Sequence, residues 1–284
     1  MSALYNLPTD NVAGNATWAA IASADTAYPA SNISLLTDLD RGNPAKLTIK
    51  TAGGWYADFG AAQRVDIVVI WSNGDAAQTV KIESHTATLS NPVTTPTMTT
   101  TLTLPAVRED GYFVKVYKDL TGVSGYSSGG HRYWRVYFPV TGANNTQNWG
   151  LKVWMGSTIR TLDRSLQSPT RKPDQHQRLH LPTDYGYSWR YDLQGAPRQL
   201  SGTIGTKKGT TWENLLSWYR ASSGSVKPML FVPDISENDA WIAQFGATGS
   251  GVGTDQLDAT MTIPNYNPII FSIEEVTAGG PEWS

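Results

Sequence analysis

The chain has 284 residues, with 22 Lys and Arg against 24 Asp and Glu and a formal net charge of -2. No global field of either sign draws it to nucleic acid or to an anionic membrane. With no cysteine it has no disulfide framework, no thiol nucleophile and no cysteine-ligated zinc.

Its length suits two domains better than one. Charged residues are only 16%, whereas 26 Gly, 11 Trp and 13 Tyr are present, a balance that points to β structure with many turns. The opening stretch MSALYNLPTDNVAGN has no basic n-region and no continuous apolar core, so the expectation is a chain kept in a cytosol until it is assembled. No stretch approaches the ~20 apolar residues that cross a bilayer, so membrane insertion is not expected. The sequons at Asn15, Asn32 and Asn144 are read as chance without a secretion signal.

In chain order, the first clear element is GGWYADFG, residues 53–60. Gly53 and Gly54 let the chain turn, Trp55 and Phe59 fall on one buried strand face, and Gly60 is expected to end the strand. Residues 65–72 then place Val65, Ile67, Val69 and Trp71 on one face and Val68 and Ile70 on the other, the pattern of a central sandwich strand. Further strands are expected at 79–84, 97–104, 112–117, 132–138 and 149–155, short runs separated by Gly, Pro and Asn.

Residues 157–178 are polar and carry two prolines and five basic residues against two acids, which reads as a linker or extended arm. Strands resume at 186–192, 198–204, 227–232, 240–245, 256–263 and 268–276. Between the second and third of these lies one helix. Thr210 and Glu213 have capping-box spacing, Trp212, Leu215, Leu216 and Tyr219 recur at helical period, and Gly224 closes it. The fold class is therefore all-β: an N-terminal jelly-roll sandwich over 1–156, the linker 157–178, and a second β-sandwich or barrel over 179–284 carrying one α-helix.

No catalytic set emerges, and the chain is expected not to be an enzyme. Asp58-Phe59-Gly60 spells a kinase metal motif, but the Gly-rich loop and lysine that must precede it are missing and His131-Arg132-Tyr133 comes in the wrong order. Gly202 to Gly209 lacks the Gly-Lys-Ser/Thr of a phosphate loop and reads as an ordinary strand-to-helix connection. His176 and His180 sit in a proline-flanked segment where i, i+4 imidazoles do not chelate. The turn Asp38-Leu39-Asp40-Arg41-Gly42 has carboxylates for calcium but not the alternating ligands of an EF-hand, so a plain surface turn is the simpler reading.

Five pieces then fall in a telling order: YPASNISLLTDLD (28–40), WYADFG (55–60), RVDIVVIW (64–71), HRYWRVYF (131–138) and NWGLKVWMG (148–156). Together they make residues 1–156 resemble the discoidin, or coagulation factor 5/8 type C, domain, a galactose-binding-like jelly roll. The cysteines that clamp many extracellular members are absent here. A sugar-binding role would use aromatics on the loops, and the candidates are Trp18, Tyr28, Trp55, Tyr126 and Trp149. No cofactor is required; a calcium site of the superfamily kind, if retained, would use Asp38 and Asp40.

The second half, with TWENLLSWYRASSG (211–224), KPMLFVPD (227–234) and FSIEEV (271–276), resembles minor and distal tail proteins of long-tailed bacteriophages. That resemblance implies a virion part of a tail tip or baseplate, held in the host cytoplasm before assembly. Its partners would be other phage tail proteins in a homo-oligomeric ring. Sheet edges, the 157–178 arm and aromatic surface such as Trp189, Trp241 and Trp283 would make the contacts. Recognition of a host surface glycan is the alternative, compatible with it.

Overall fold

The computed structural model describes residues 4–21, 33–34, 36–37, 45–48, 53–72, 78–90, 94–104, 114–139, 148–161, 167–172, 177–182, 188–193, 199–206, 217–221, 227, 229–235, 240–245, 258–259 and 267–275. The chain forms two compact units. Unit 1 comprises Met1–Pro8, Arg160–Glu237 and Trp241–Ser284; unit 2 comprises Thr9–Ile159 with Asn238–Ala240.

Strand β1 is Leu4–Asn6. Nine strands belong to unit 2: β2 (Thr17–Ala20), β3 (Ala45–Thr48), β4 (Gly53–Gln63), β5 (Ile67–Ser72), β6 (Gln78–His85), β7 (Met98–Leu104), β8 (Val114–Asp119), β9 (His131–Phe138) and β10 (Asn148–Gly156). Nine follow in unit 1: β11 (Arg160–Thr161), β12 (Gln167–Lys172), β13 (Gln177–Pro182), β14 (Ser188–Leu193), β15 (Gln199–Thr206), β16 (Met229–Val232), β17 (Trp241–Phe245), β18 (Asp258–Ala259) and β19 (Asn267–Glu275). The chain is all-β, and its described helical residues are 217–221 apart from short 3-10 turns.

Unit 2 is a sandwich of a five-stranded sheet, β2-β4-β9-β6-β7, and a four-stranded sheet, β3-β10-β5-β8, with antiparallel neighbours throughout. Alternation drives this arrangement. Trp55, Ala57, Trp134, Val136 and Phe138 from one sheet meet Val68, Ile70, Val153 and Met155 from the other in one core. Each large apolar side chain so buried contributes roughly 1.5–3 kcal/mol. The two apolar faces read for residues 65–72 are present, since every residue from Ile67 to Trp71 is at most 2% exposed.

Local structure departs from expectation at Gly60. The strand does not end there: Gly60 takes φ +73 inside β4, and the pairing with β9 slips between Asp58 and Gln63. A glycine in the left-handed region absorbs the extra residues of a bulge, so the strand bends and continues.

Unit 1 holds an eight-stranded sheet with the path β11-β1-β16-β17-β19-β15-β12, β18 pairing β19 off that path, and a separate β13-β14 ribbon. Its core joins Tyr5, Trp218, Met229, Phe231, Trp241 and Ile273. Two expectations are corrected here. Residues 157–178 are not a bare linker, since β11 and β12 are sheet members and β13 begins within the stretch; a polar edge strand shows no alternation to read when its partner lies far along the chain. Residues 1–8 belong with the second half rather than with 9–156, because β1 pairs β11 and β16.

In the helical segment, Trp218 is fully buried and stacks on Tyr5 at 4.3 Å between ring centroids, with Tyr219 and Ala221 packed beside that core. Trp212, Leu215 and Leu216, read as the core face, lie outside the described residues, as does Gly224.

Candidate functional site

Register builds the site at one end of the five-stranded sheet. Thr17 of β2 lies opposite Asp58 of β4, Asp58 opposite Tyr133 of β9, and Tyr133 opposite His85 of β6. Directly opposed residues of an antiparallel sheet share a face, so four positions scattered over more than a hundred residues form one row. The bulge after Asp58 ends regular pairing with β9 here.

Arg132 closes on this row with a two-point contact. Its Nε donates to Asp58 Oδ1 at 2.7 Å and its Nη2 to Oδ2 at 2.9 Å, while the Gly60 N–H donates to Oδ1 at 2.7 Å. The guanidinium lies over the Tyr133 ring, 4.8 Å from its centroid. Arg132 and Asp58 side chains stay 43% and 28% exposed. The Arg132 hydrogen bonds, then the Gly60 N–H, hold the Asp58 carboxyl below its ordinary range, and Asp58 in turn raises Arg132. With Nε and Nη2 engaged, Arg132 Nη1 has no partner among the described residues, and Asp58 Oδ2 keeps acceptor capacity.

The groups behind the row are committed to structure. Ser84 Oγ and His131 Nδ1 are 2.7 Å apart and both buried, and Trp134 Nε1 donates to the His131 carbonyl at 3.0 Å. Burial, and secondarily His85, lower the His131 pKa, so its ring is held neutral. A Ser-His contact with the hydroxyl sealed from solvent does not present a nucleophile.

Arg135 pairs with Glu83 on the same sheet, with exposures of 2% and 5%; Arg135 also donates to the carbonyls of Leu89 at 3.5 Å and Thr94 at 3.2 Å. Such a buried pair holds the backbone at Leu89 and Thr94 and offers no open charge. Arg64 and Tyr126 both bind Asp66, which is 2% exposed. Among the described residues no group of three metal-ligating side chains is present.

The aromatics chosen from sequence are placed differently. Trp55 is 4% exposed within the sandwich core, so its ring has no free face and the expectation of a ligand platform there is corrected. Trp18 is half-buried on the core and its indole N–H donates to the Ala13 carbonyl at 2.8 Å. Tyr126 is half-buried with its hydroxyl on Asp66 at 2.6 Å. Trp149 lies in β10 opposite Leu47 by backbone register. Tyr28, Asp38 and Asp40 lie outside the described residues. Trp241, expected as an assembly surface, is 1% exposed in the unit 1 core; Trp189 is placed by backbone alone, opposite Leu181, and Trp283 lies outside the described residues.

Sequence reasoning passed over Asp58, Arg132 and Tyr133 because each sat in a stretch that mimicked a kinase motif. The available signal was an acid and a base in two strand motifs 74 positions apart, which only register brings together.

No family model matches the chain, and no curated protein matches it. Among solved structures, it is similar to CpGH89CBM32-6 produced by Clostridium perfringens at 12% identity, covering 52% of this chain and 99% of that one, with a TM-score of 0.33. The lectin domain of Lectinolysin complexed with Lewis B antigen is similar at 14% identity over 53% of this chain and 98% of that one, TM-score 0.33. An F-lectin (fucolectin) from Morone saxatilis (striped bass) serum is 12% identical over 98% of this chain and 94% of that one, TM-score 0.35. TM-scores of this size do not establish a shared fold or a shared ligand.

Proposed function

We propose that unit 2 is a carbohydrate-recognition module without catalytic activity of its own, and that Asp58, Arg132 and Tyr133 form its binding group. One observation carries this reading: a two-point Asp58–Arg132 pair stays substantially exposed, stacked on an aromatic ring, with Arg132 Nη1 unspent among the described residues. Neighbouring hydroxyls on a sugar ring need an acceptor and a donor side by side. Asp58 Oδ2 and Arg132 Nη1 supply them, and Tyr133 braces the guanidinium that presents the donor. Because the fork is already held by Asp58 and Tyr133, little side-chain freedom is left to lose on binding. The discoidin-like order of motifs supports the same reading.

The test is a glycan microarray probed with the full chain, followed by calorimetric titration of any ligand found. Asp58→Ala and Arg132→Ala are expected to weaken binding at least tenfold, with Thr88→Ala unchanged and all three folded by thermal melt. Binding that survives both substitutions, or no glycan bound at all, overturns the assignment.

The chain path favours a second layer to this reading. The chain starts in unit 1 with β1, passes into unit 2 at Thr9 and returns at Arg160, so the binding module is an insertion within another β-unit. That is the wiring of a decorating domain carried by a scaffold. The resemblance of residues 211–276 to phage tail proteins supports reading the scaffold as a tail component, with other tail proteins as its partners. A mass-spectrometric inventory of purified virions containing this chain supports that layer; its absence from virions removes the layer and leaves the glycan test intact.

A further inference from the structure

We propose that the ligand of this site is a neutral, linear oligosaccharide laid across the strands of unit 2, and that His85 holds the sugar unit farthest from the one seated on Asp58 and Arg132. The inference rests on the reading of Asp58 and Arg132 as a sugar-binding pair. Their row does not stop at Tyr133. Tyr133 stands opposite His85, and His85 Nδ1 lies 2.6 Å from Thr97 Oγ1, so the row continues to the residue before β7. Thr17, Asp58, Tyr133, His85 and Thr97 share the face turned away from the core. Their chain neighbours Trp18, Ala57, Trp134 and Met98 pack in that core, and Ser84 is fully buried.

The adjoining row sets the direction of the ligand. In it Tyr56 stands opposite Arg135, and Arg135 opposite Glu83. Arg135 and Glu83 bind each other, Arg135 reaches the carbonyls of Leu89 and Thr94, and Thr99 Oγ1 donates to Glu83 Oε1 at 3.3 Å. Both charged side chains are buried there, so that row has nothing to offer a ligand running along the strands. On the other side the bulge ends regular pairing of β4 with β9. The polar groups left to a ligand follow one another across the strands, from β4 over β9 to β6.

His85 is half-buried and already tethered. The contact with Thr97 occupies Nδ1, and Nε2 has no partner among the described residues. Nε2 donates or accepts according to which of the two tethered groups carries the proton. A sugar hydroxyl answers either state, whereas a carboxylate or phosphate oxygen answers only a donor. Asp58 and Arg132 cancel in charge, which favours a neutral ligand over an anion. Length follows from the sheet: Asp58 and His85 stand two strand spacings apart, about 10 Å. A sugar unit of an extended chain advances by roughly one such spacing, so a trisaccharide reaches His85 from the Asp58–Arg132 pair and a single sugar does not.

Calorimetric titration of the full chain with length-graded chito-, malto-, xylo- and galacto-oligosaccharides, from single sugar to tetrasaccharide, tests this. In a series that binds, affinity is expected to rise about tenfold from single sugar to trisaccharide. His85→Ala should abolish that rise and leave single-sugar affinity at the wild-type value, which also reports an intact fold. A trisaccharide bound no more tightly than a single sugar, or a rise that His85→Ala leaves in place, overturns the proposal. So does a His85→Ala variant that melts like wild type yet loses single-sugar affinity, because His85 then belongs to the first seat. In each of these cases Asp58→Ala and Arg132→Ala still decide the sugar-binding pair separately; binding of no member of any series overturns both.

Discussion

The Tyr126 hydroxyl donates to Asp66 Oδ1 at 2.6 Å, tying together residues 60 positions apart. Arg64 holds the same carboxylate through Nε at 2.7 Å and Nη2 at 2.6 Å, and the Asp66 carbonyl accepts from the Leu120 N–H at 2.8 Å. The 120–130 loop is thus latched to the β4-β5 connection at its start and near its middle. Burial first, and then Asp66, push the Tyr126 phenol upward, so it stays protonated and donating. Tyr126→Phe keeps the ring and deletes one hydrogen bond to a charged acceptor, which costs about 1.5 kcal/mol. Urea titration should show the midpoint fall without a change in slope, and amide exchange should rise in residues 120–130.

Two glycines with similar backbones are expected to respond differently. Gly60 has φ +73 with open space around its missing Cβ; Gly130 has φ +81, and a Cβ there would run into the backbone of Gln63 and Arg64. Gly60→Ala should cost only the left-handed penalty of about 1–2 kcal/mol. Gly130→Ala must also displace backbone, so its thermal melt should fall well below that of Gly60→Ala. Equal melts would mean that the loop yields freely.

Acid sensitivity should carry a His131 component. The folded state lowers its pKa below 6.5, so the unfolded chain binds that proton first. Stability from this group is therefore complete above about pH 6.5 and is lost as pH falls from there toward the lowered value. Asp58 acts in a separate window: its pKa is lowered from 3.8, so its contribution holds above that pH and is lost as pH falls through the folded value. Melting His131→Gln and wild type between pH 7.5 and pH 5 should show a shallower decline in the variant. A parallel decline would assign the loss to other groups.

Membership of β1 in unit 1 has its own test. Tyr5 is 2% exposed and stacked on Trp218, so Tyr5→Ala removes a buried aromatic at a cost of about 3–5 kcal/mol. Hydrogen exchange should accelerate in β16 and β17 and leave β5 and β9 of unit 2 at wild-type rates. Faster exchange in β5 instead would place the N-terminal strand with the module that follows it in sequence.

The strands of the sandwich were legible in the sequence because each carries its own evidence: alternation at 65–72, 97–104 and 132–138 needs no partner to be recognised. The bulge at Gly60 was half legible, since a glycine marks a break but does not say whether the strand ends or bends. β1, with three residues, and the polar edge strands β11 and β12 were hidden, because so short or so polar a strand is defined by whom it pairs with.

The proposed binding group lies at the far end of the same scale. By itself the sequence determined an all-β chain, free of cysteine chemistry and nearly neutral, with Trp55 and Phe59 on one side of a strand and Asp58 on the other. Only the tertiary structure decided that Asp58 stands beside Arg132 and opposite Tyr133, and that the residues before Thr9 belong with those after Ile159. Facing is a local property set by the two-residue period of a strand. Register and unit membership are fixed by which distant segments bury one another, and no local pattern encodes that choice.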